Sequence, residues 1–146
     1  MAINFSNDKI VFNLKQKAKL KNWIHSAIKK EKHVLGNLNY TFVSDEALLK
    51  INNDFLKHNT YTDIITFNYK EGKNIFSDIY ISVDRVKENA KNFDVNFEEE
   101  LHRVMIHGVL HLCGYKDKTK TDSALMRKTE NQNLKKLKSI LSRKKG

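Results

Sequence analysis

The segment from Leu101 to Leu112 sets the tightest limit on how this chain can fold. Leu101, Val104, Met105, Ile106, Val109, Leu110 and Leu112 leave it apolar almost all round after its first turn. A helix of that composition has no solvent face to offer, so it lies inside the protein. Yet it carries His107 and His111, four residues apart, whose imidazoles project from one face at metal-chelating distance. An unpaired imidazole there forfeits its hydrogen bonds to water. Gly114 supplies the helix stop, because glycine tolerates the left-handed geometry found at that point. Asp117, three residues on, returns a carboxylate toward the helix end. His-x3-His-x2-Gly-x2-Asp therefore gathers two imidazoles and one carboxylate. Three protein ligands leave a coordination position for water, the arrangement of a catalytic site holding one Zn2+ per chain.

Two other readings of this stretch stay open. HxxxH alone is weak, since six histidines in 146 residues produce roughly 0.2 such pairs by chance. The pair could be two hydrogen-bonded core histidines beside a capping loop, or part of a closed structural zinc site. The only thiol, Cys113, lies two helix positions past His111 and points away from the shared face, which disfavours the closed site. A zinc peptidase of the HExxH type needs a glutamate directly after the first histidine as its base. Here that residue is Gly108, so peptidase chemistry is disfavoured.

The rest of the chain reads as one domain, residues 1–146, with no proline, no repeat and no linker-like stretch. Ile3–Phe5 and Ile10–Phe12 are short strand material. Ala18, Leu20, Trp23, Ile24, Ala27 and Ile28 recur at helical spacing between Leu14 and Lys32. Leu38–Val43 alternates as a strand. Ser44 then looks like the N-cap of a helix through Ala47, Leu48, Ile51 and Phe55, stopping near His58. Asp63–Tyr69 and Ile75–Ser82 are β-branched and aromatic runs joined by Lys70–Asn74, which predicts a hairpin. A helix over about 84–93 follows. Asn96, with Glu99 three residues on, caps the apolar helix. A last helix over about 121–142 keeps Leu125, Met126, Leu134, Leu137, Ile140 and Leu141 for packing. The expected fold class is α+β: a small mixed sheet with helices packed on it and the metal-bearing helix buried.

Net charge is +10, concentrated toward the two ends. Residues 9–32 carry eight lysines against Glu31, and residues 118–146 carry eight lysines and two arginines against Asp122 and Glu130. Such a field suits a polyanion, with counterion release from phosphates driving association. Lys-rich helices can equally be solvated surfaces. No apolar stretch is long enough to span a bilayer, no secretory leader is visible at the amino end, and a single cysteine fits a reducing cytoplasm. No obligate protein partner can be inferred.

HGVLHLCGY followed by an acidic ligand resembles the YbeY family, whose usual signature reads H-G-x-L-H-L-x-G-Y-D-H with three histidines as zinc ligands. His107, Gly108, Leu110, His111, Leu112, Gly114 and Tyr115 match it. Asp117 stands for the third histidine and Lys116 for the usual Asp. Asn52, Phe55 and Thr62-Asp-Ile-Ile-Thr-Phe67 resemble a second family segment. Asp78-Ile-Tyr-Ile-Ser82 resembles a third, with Ser77 for its glycine. The similarity covers residues 40–130 or so. It implies a cytoplasmic, metal-dependent, single-strand endoribonuclease that processes ribosomal RNA on ribosomal particles, at the 3′ end of the small-subunit RNA. It also implies a substrate-contacting arginine where this chain has Leu56, and Lys57 or His58 could replace that charge. A zinc ion at His107, His111 and Asp117 would activate water or polarise a phosphoryl oxygen, with lysines near the cleft holding flanking phosphates. The rival reading is a non-catalytic ribosome-assembly factor that binds RNA and whose metal braces the fold.

Overall fold

Alternating apolar residues build the sheet. In the computed structural model, which describes residues 2–143, strands β1 (Ala2–Asn7), β2 (Val34–Val43), β3 (Ile64–Asn68) and β4 (Asn74–Ser82) form one sheet in the order β1-β2-β4-β3. β1 pairs parallel with β2, and β2 parallel with β4. β3 runs antiparallel to β4 as the expected hairpin and forms the sheet edge. Leu38, Tyr40 and Phe42 of β2 and Ile75, Ile79 and Ile81 of β4 turn to one face, at the period of two that a pleated strand imposes.

That face is covered by α1 (Lys17–Lys30), α3 (Val83–Asn92) and α4 (Phe97–Leu112), and α5 (Lys120–Ser142) packs against α1 and α4. Trp23 of α1 is fully buried and donates its indole N–H to the Asn133 carbonyl of α5 at 2.9 Å, tying the two lysine-rich helices together. The opposite face is covered at one end by α2 (Asp45–Leu56), whose Leu48 and Ile51 pack on Val43, Ile65 and Phe67. The layered α+β arrangement expected from the sequence is the one observed.

The caps read from the sequence are present: the Ser44 hydroxyl accepts from the Ala47 amide, and the Asn96 side-chain Oδ1 from that of Glu99. Two local expectations are corrected. Ile10–Phe12 is not a strand. It packs on the core as a loop, with the Phe12 ring 4.9 Å from that of Phe42 and its carbonyl accepting from the Asn7 side chain. Ile10 and Phe12 serve burial rather than pairing, and Val11 between them points to solvent. Leu125 does not pack either, being 52% exposed on the outer face of α5.

Candidate metal centre

α4 is the central helix of the covered face, and Leu101, Met105, Ile106, Val109 and Leu110 are fully buried along it. Three acids in its first turn, Glu98, Glu99 and Glu100, complement the positive end of the helix dipole. Gly108 lets the helix lie close on the sheet: a Cβ there would stand 2.9 Å from Ile64 Cδ1 and 3.3 Å from Ile79 Cδ1. Its role is close approach, which spacing alone could not show. Gly114 ends the turn at φ +103°, where a side chain would be strained. The chain then doubles back, and Asp117 arrives beside the two histidines.

The donor atoms form a compact triangle. His107 Nε2 and His111 Nε2 are 3.0 Å apart, and Asp117 Oδ2 lies 3.3 Å from each. Ligand bonds of about 2.0 Å in tetrahedral geometry require donors about 3.3 Å apart. The triangle therefore fits one face of such a polyhedron.

The outer hydrogen bonds decide which atoms carry protons. His107 Nδ1 lies 2.6 Å from Glu130 Oε2, and His111 Nδ1 lies 3.0 Å from the Tyr115 carbonyl. Ionised carboxylates and carbonyls only accept, so each Nδ1 is the protonated nitrogen and each Nε2 presents a lone pair. With both rings neutral, two lone pairs and a carboxylate face one another. A metal cation satisfies that arrangement; so does a proton on His107 Nε2, shared with His111 Nε2 or Asp117, and the raised pKa of that ring favours it. The group could thus hold a metal ion. Cys113 takes no part: it is absent from the cluster, and burial pushes its thiol up to about 11. Among the described residues no other group of histidine, cysteine and carboxylate side chains converges in this way.

Glu130 and Arg103 belong to the same network and were missed from sequence. Glu130 Oε1 accepts from Arg103 at 3.0 Å, and Arg103 also donates to Asn131 at 2.9 Å. Burial favours a neutral Glu130, but the bonds from His107 and Arg103 outweigh it and hold the carboxyl below its ordinary value. Burial likewise opposes the charging of His107. The bond to Glu130 and the nearby carboxylates prevail, and its pKa stands above the ordinary one. Proton and metal would compete for the same lone pair. A signal was available: Met126, Glu130 and Leu134 recur at helical spacing, which puts an acid in the packing stripe of α5.

Two depressions meet at the triangle. An inner cleft of about 290 Å3 contains His107 and Asp117 with Asp63, Glu100, Arg103, Arg127 and Glu130. Burial raises the pKa values of Asp63 and Glu100. An outer groove of about 820 Å3 runs from the triangle along the β3 edge, past Thr66, Thr62 and Tyr61, to Asn52 and Leu56. His58 lines that groove. Lys57 does not; it ends α2 in a left-handed turn at φ 58° and is exposed. Among the described residues the permanent cations at the site are Arg103, Arg127 and Lys118, while the lysine excess lies on α1 and α5.

Comparison with known proteins places these features in a family. The profile described as "Endoribonuclease YbeY" matches residues 2–138. A Flavobacterium psychrophilum protein named Endoribonuclease YbeY is 51% identical over 129 residues, 88% of this chain and 92% of its own. A Bacteroides fragilis protein of the same name is 40% identical over 134 residues, 92% of this chain and 96% of its own. The solution structure of the Thermotoga maritima protein TM1509 superposes with a TM-score of 0.66 at 28% identity, covering 93% of this chain and 89% of that one. With the family profile spanning nearly the whole chain and the α+β core shared, this protein belongs to the YbeY family of endoribonucleases.

Proposed function

We propose that this protein is a metal-dependent endoribonuclease that cuts single-stranded ribosomal RNA, in maturation of the small-subunit 3′ end, in the cytoplasm. Its cofactor in this reading is one Zn2+ held by His107, His111 and Asp117. The observation that carries the reading is the convergence of two imidazole nitrogens and one carboxylate oxygen at the mouth of an open groove. Family membership supports the reaction class. An ion held there supplies Lewis acidity, lowering the pKa of a coordinated water or polarising a phosphoryl oxygen.

The chain's own residues do the rest. Glu130 and the Tyr115 carbonyl keep the Nδ1 protons in place, so that both rings aim lone pairs at one point. Arg103 is occupied by Glu130 and Asn131. Arg127 and Lys118 are the cations left to meet the phosphates that flank the scissile bond. His58 lines the groove wall and Lys57 does not, which supports His58 as the substrate-contacting member of the pair. Among the described residues no helix is long and apolar enough to cross a membrane.

One observation favours the second reading, an RNA-binding assembly factor with a bracing metal: the groove offers Leu56 where the family resemblance implies an arginine. Metal removal and restoration separate the two. Chelated protein should lose cleavage of single-stranded RNA and regain it with Zn2+, and His111→Ala should neither hold stoichiometric zinc nor cut. Equal cutting by that variant would assign the activity to a contaminant. RNA binding without cutting by the restored wild type would support the assembly factor.

A further inference from the structure

The outer groove has a wall chemistry that differs from the protein's charge. With a net charge of +10, the simplest phosphate track would be a row of lysines. Instead Asn52, Thr60, Thr62, Thr66 and Asn68 supply neutral donors and acceptors, Lys118 is the one permanent cation among the described residues that line it, and Tyr61 supplies a ring. Neutral hydrogen-bonding groups beside an aromatic face suit a nucleobase better than a phosphate.

Tyr61 is held like a built surface. Its hydroxyl donates to Glu46 Oε1 at 2.7 Å. The Arg85 guanidinium stands 5.2 Å from the ring centroid. Arg85 is itself fixed by Asp45 at 2.7 Å, and Asp45 accepts from the Ser82 hydroxyl at 2.8 Å. The ring is thus clamped at its hydroxyl and on one face, yet 49% of the residue remains exposed. A mobile surface tyrosine would lose freedom on stacking against a ligand. Here much of that ordering is already done in the free protein.

We propose that Tyr61 is the stacking platform for an unpaired nucleobase of the RNA strand whose backbone crosses the His107/His111/Asp117 triangle. Tyr61 and the triangle line one continuous groove, so the base lies within the same bound segment as the cut phosphate. The neutral groups around the ring read the base edge, and Arg127 and Lys118 meet the backbone. This inference rests on the nuclease reading only for the identity of the strand.

The test uses full-length, metal-loaded protein and a single-stranded RNA of about ten nucleotides. Binding is followed by anisotropy and cleavage separately on gels. Tyr61→Phe keeps the ring and drops the Glu46 bond, and should bind within about threefold of wild type. Tyr61→Leu keeps apolar bulk and drops stacking, and should bind about 5- to 100-fold more weakly. An abasic nucleotide walked along the strand should weaken wild type at one position and leave Tyr61→Leu indifferent there. In Tyr61→Trp, RNA should quench the new indole, against a silent Trp23 that is fully buried. Equal losses in the Phe and Leu variants would reduce Tyr61 to a loop clamp and overturn the inference. So would wild-type affinity in Tyr61→Leu. Wild type that binds without cutting would defeat the nuclease reading and leave the stacking result legible, and wild type that does not bind RNA would defeat both.

Discussion

Replacing Glu130 by glutamine changes one atom and tests the logic of the whole centre. In the wild type Oε2 accepts from His107 Nδ1 at 2.6 Å and Oε1 from Arg103 at 3.0 Å. Glutamine offers one acceptor and one donor, so it cannot serve both. If its oxygen faces His107, its NH2 meets the Arg103 guanidinium donor to donor. If it turns over, the NH2 faces His107 Nδ1 and drives the ring proton to Nε2, the atom that must be free for a metal. Loss of such an outer-shell partner lowers metal affinity about 10- to 100-fold, or about 1.4 to 2.8 kcal/mol at 1.4 kcal/mol per decade. The assay is zinc titration of metal-free protein against a competing chelator, with melting followed at matched free zinc. Glu130→Gln should show a larger dissociation constant and a smaller zinc-induced rise in Tm. A second signature follows from charge. Glu130 is the main group raising the His107 pKa against burial, so in the variant that pKa falls. Proton competition with zinc should then shift to lower pH. A variant with wild-type zinc affinity and an unmoved pH profile, while His111→Ala loses zinc, would refute the claim that Glu130 fixes the His107 tautomer.

Two further outcomes concern the scaffold. His102 is buried beside Trp23, and burial pushes its pKa down to about 4 from 6.5. The unfolded chain therefore binds the extra proton first as pH falls, and stability is complete above 6.5 and declines through the window down to 4. Between neutral pH and about pH 5 the loss from this group is about 2 kcal/mol. Urea denaturation at the two pH values should show it in the wild type and not in His102→Leu, and an equal drop in both would place the acid sensitivity elsewhere. Gly108→Ala gains about 0.8–1 kcal/mol of helix propensity but drives a methyl to within 2.9 Å of Ile64 Cδ1, an overpacking that costs about 1–3 kcal/mol. Net destabilisation of about 0–2 kcal/mol is expected in denaturant, with Ile64, which lines both depressions, displaced. A variant more stable by the full propensity gain would mean that the helix does not need its close seat on the sheet.

Periodic patterns made much of the fold legible. Strand alternation, the Ser44 and Asn96 caps, the Lys70–Asn74 hairpin and the apolar stretch of α4 after its first turn are local signals, legible from neighbouring residues alone. The apparent strand at Ile10–Phe12 misled because an apolar triplet names no pairing partner: Ile10 and Phe12 pack on the core from a loop, and Val11 is exposed. Leu125 misled for a related reason, since helical spacing says which residues share a face but not where that face stops touching its neighbour.

At the site the division is sharper. His107, His111 and Asp117 lie within eleven residues, and helix pitch plus one glycine turn brings them together whatever surrounds them. Their cluster is a local event, so sequence alone determined it. Glu130 reaches His107 across 23 residues, Tyr61 and the triangle come to share a groove only through the β3 edge, and Gly108 acquires its meaning from Ile64 and Ile79 on the sheet. None of these follows from spacing along the chain, because each depends on how helices and sheet dock. Only the tertiary structure decided which carboxylate orients His107 and which aromatic ring lines the groove beside the triangle.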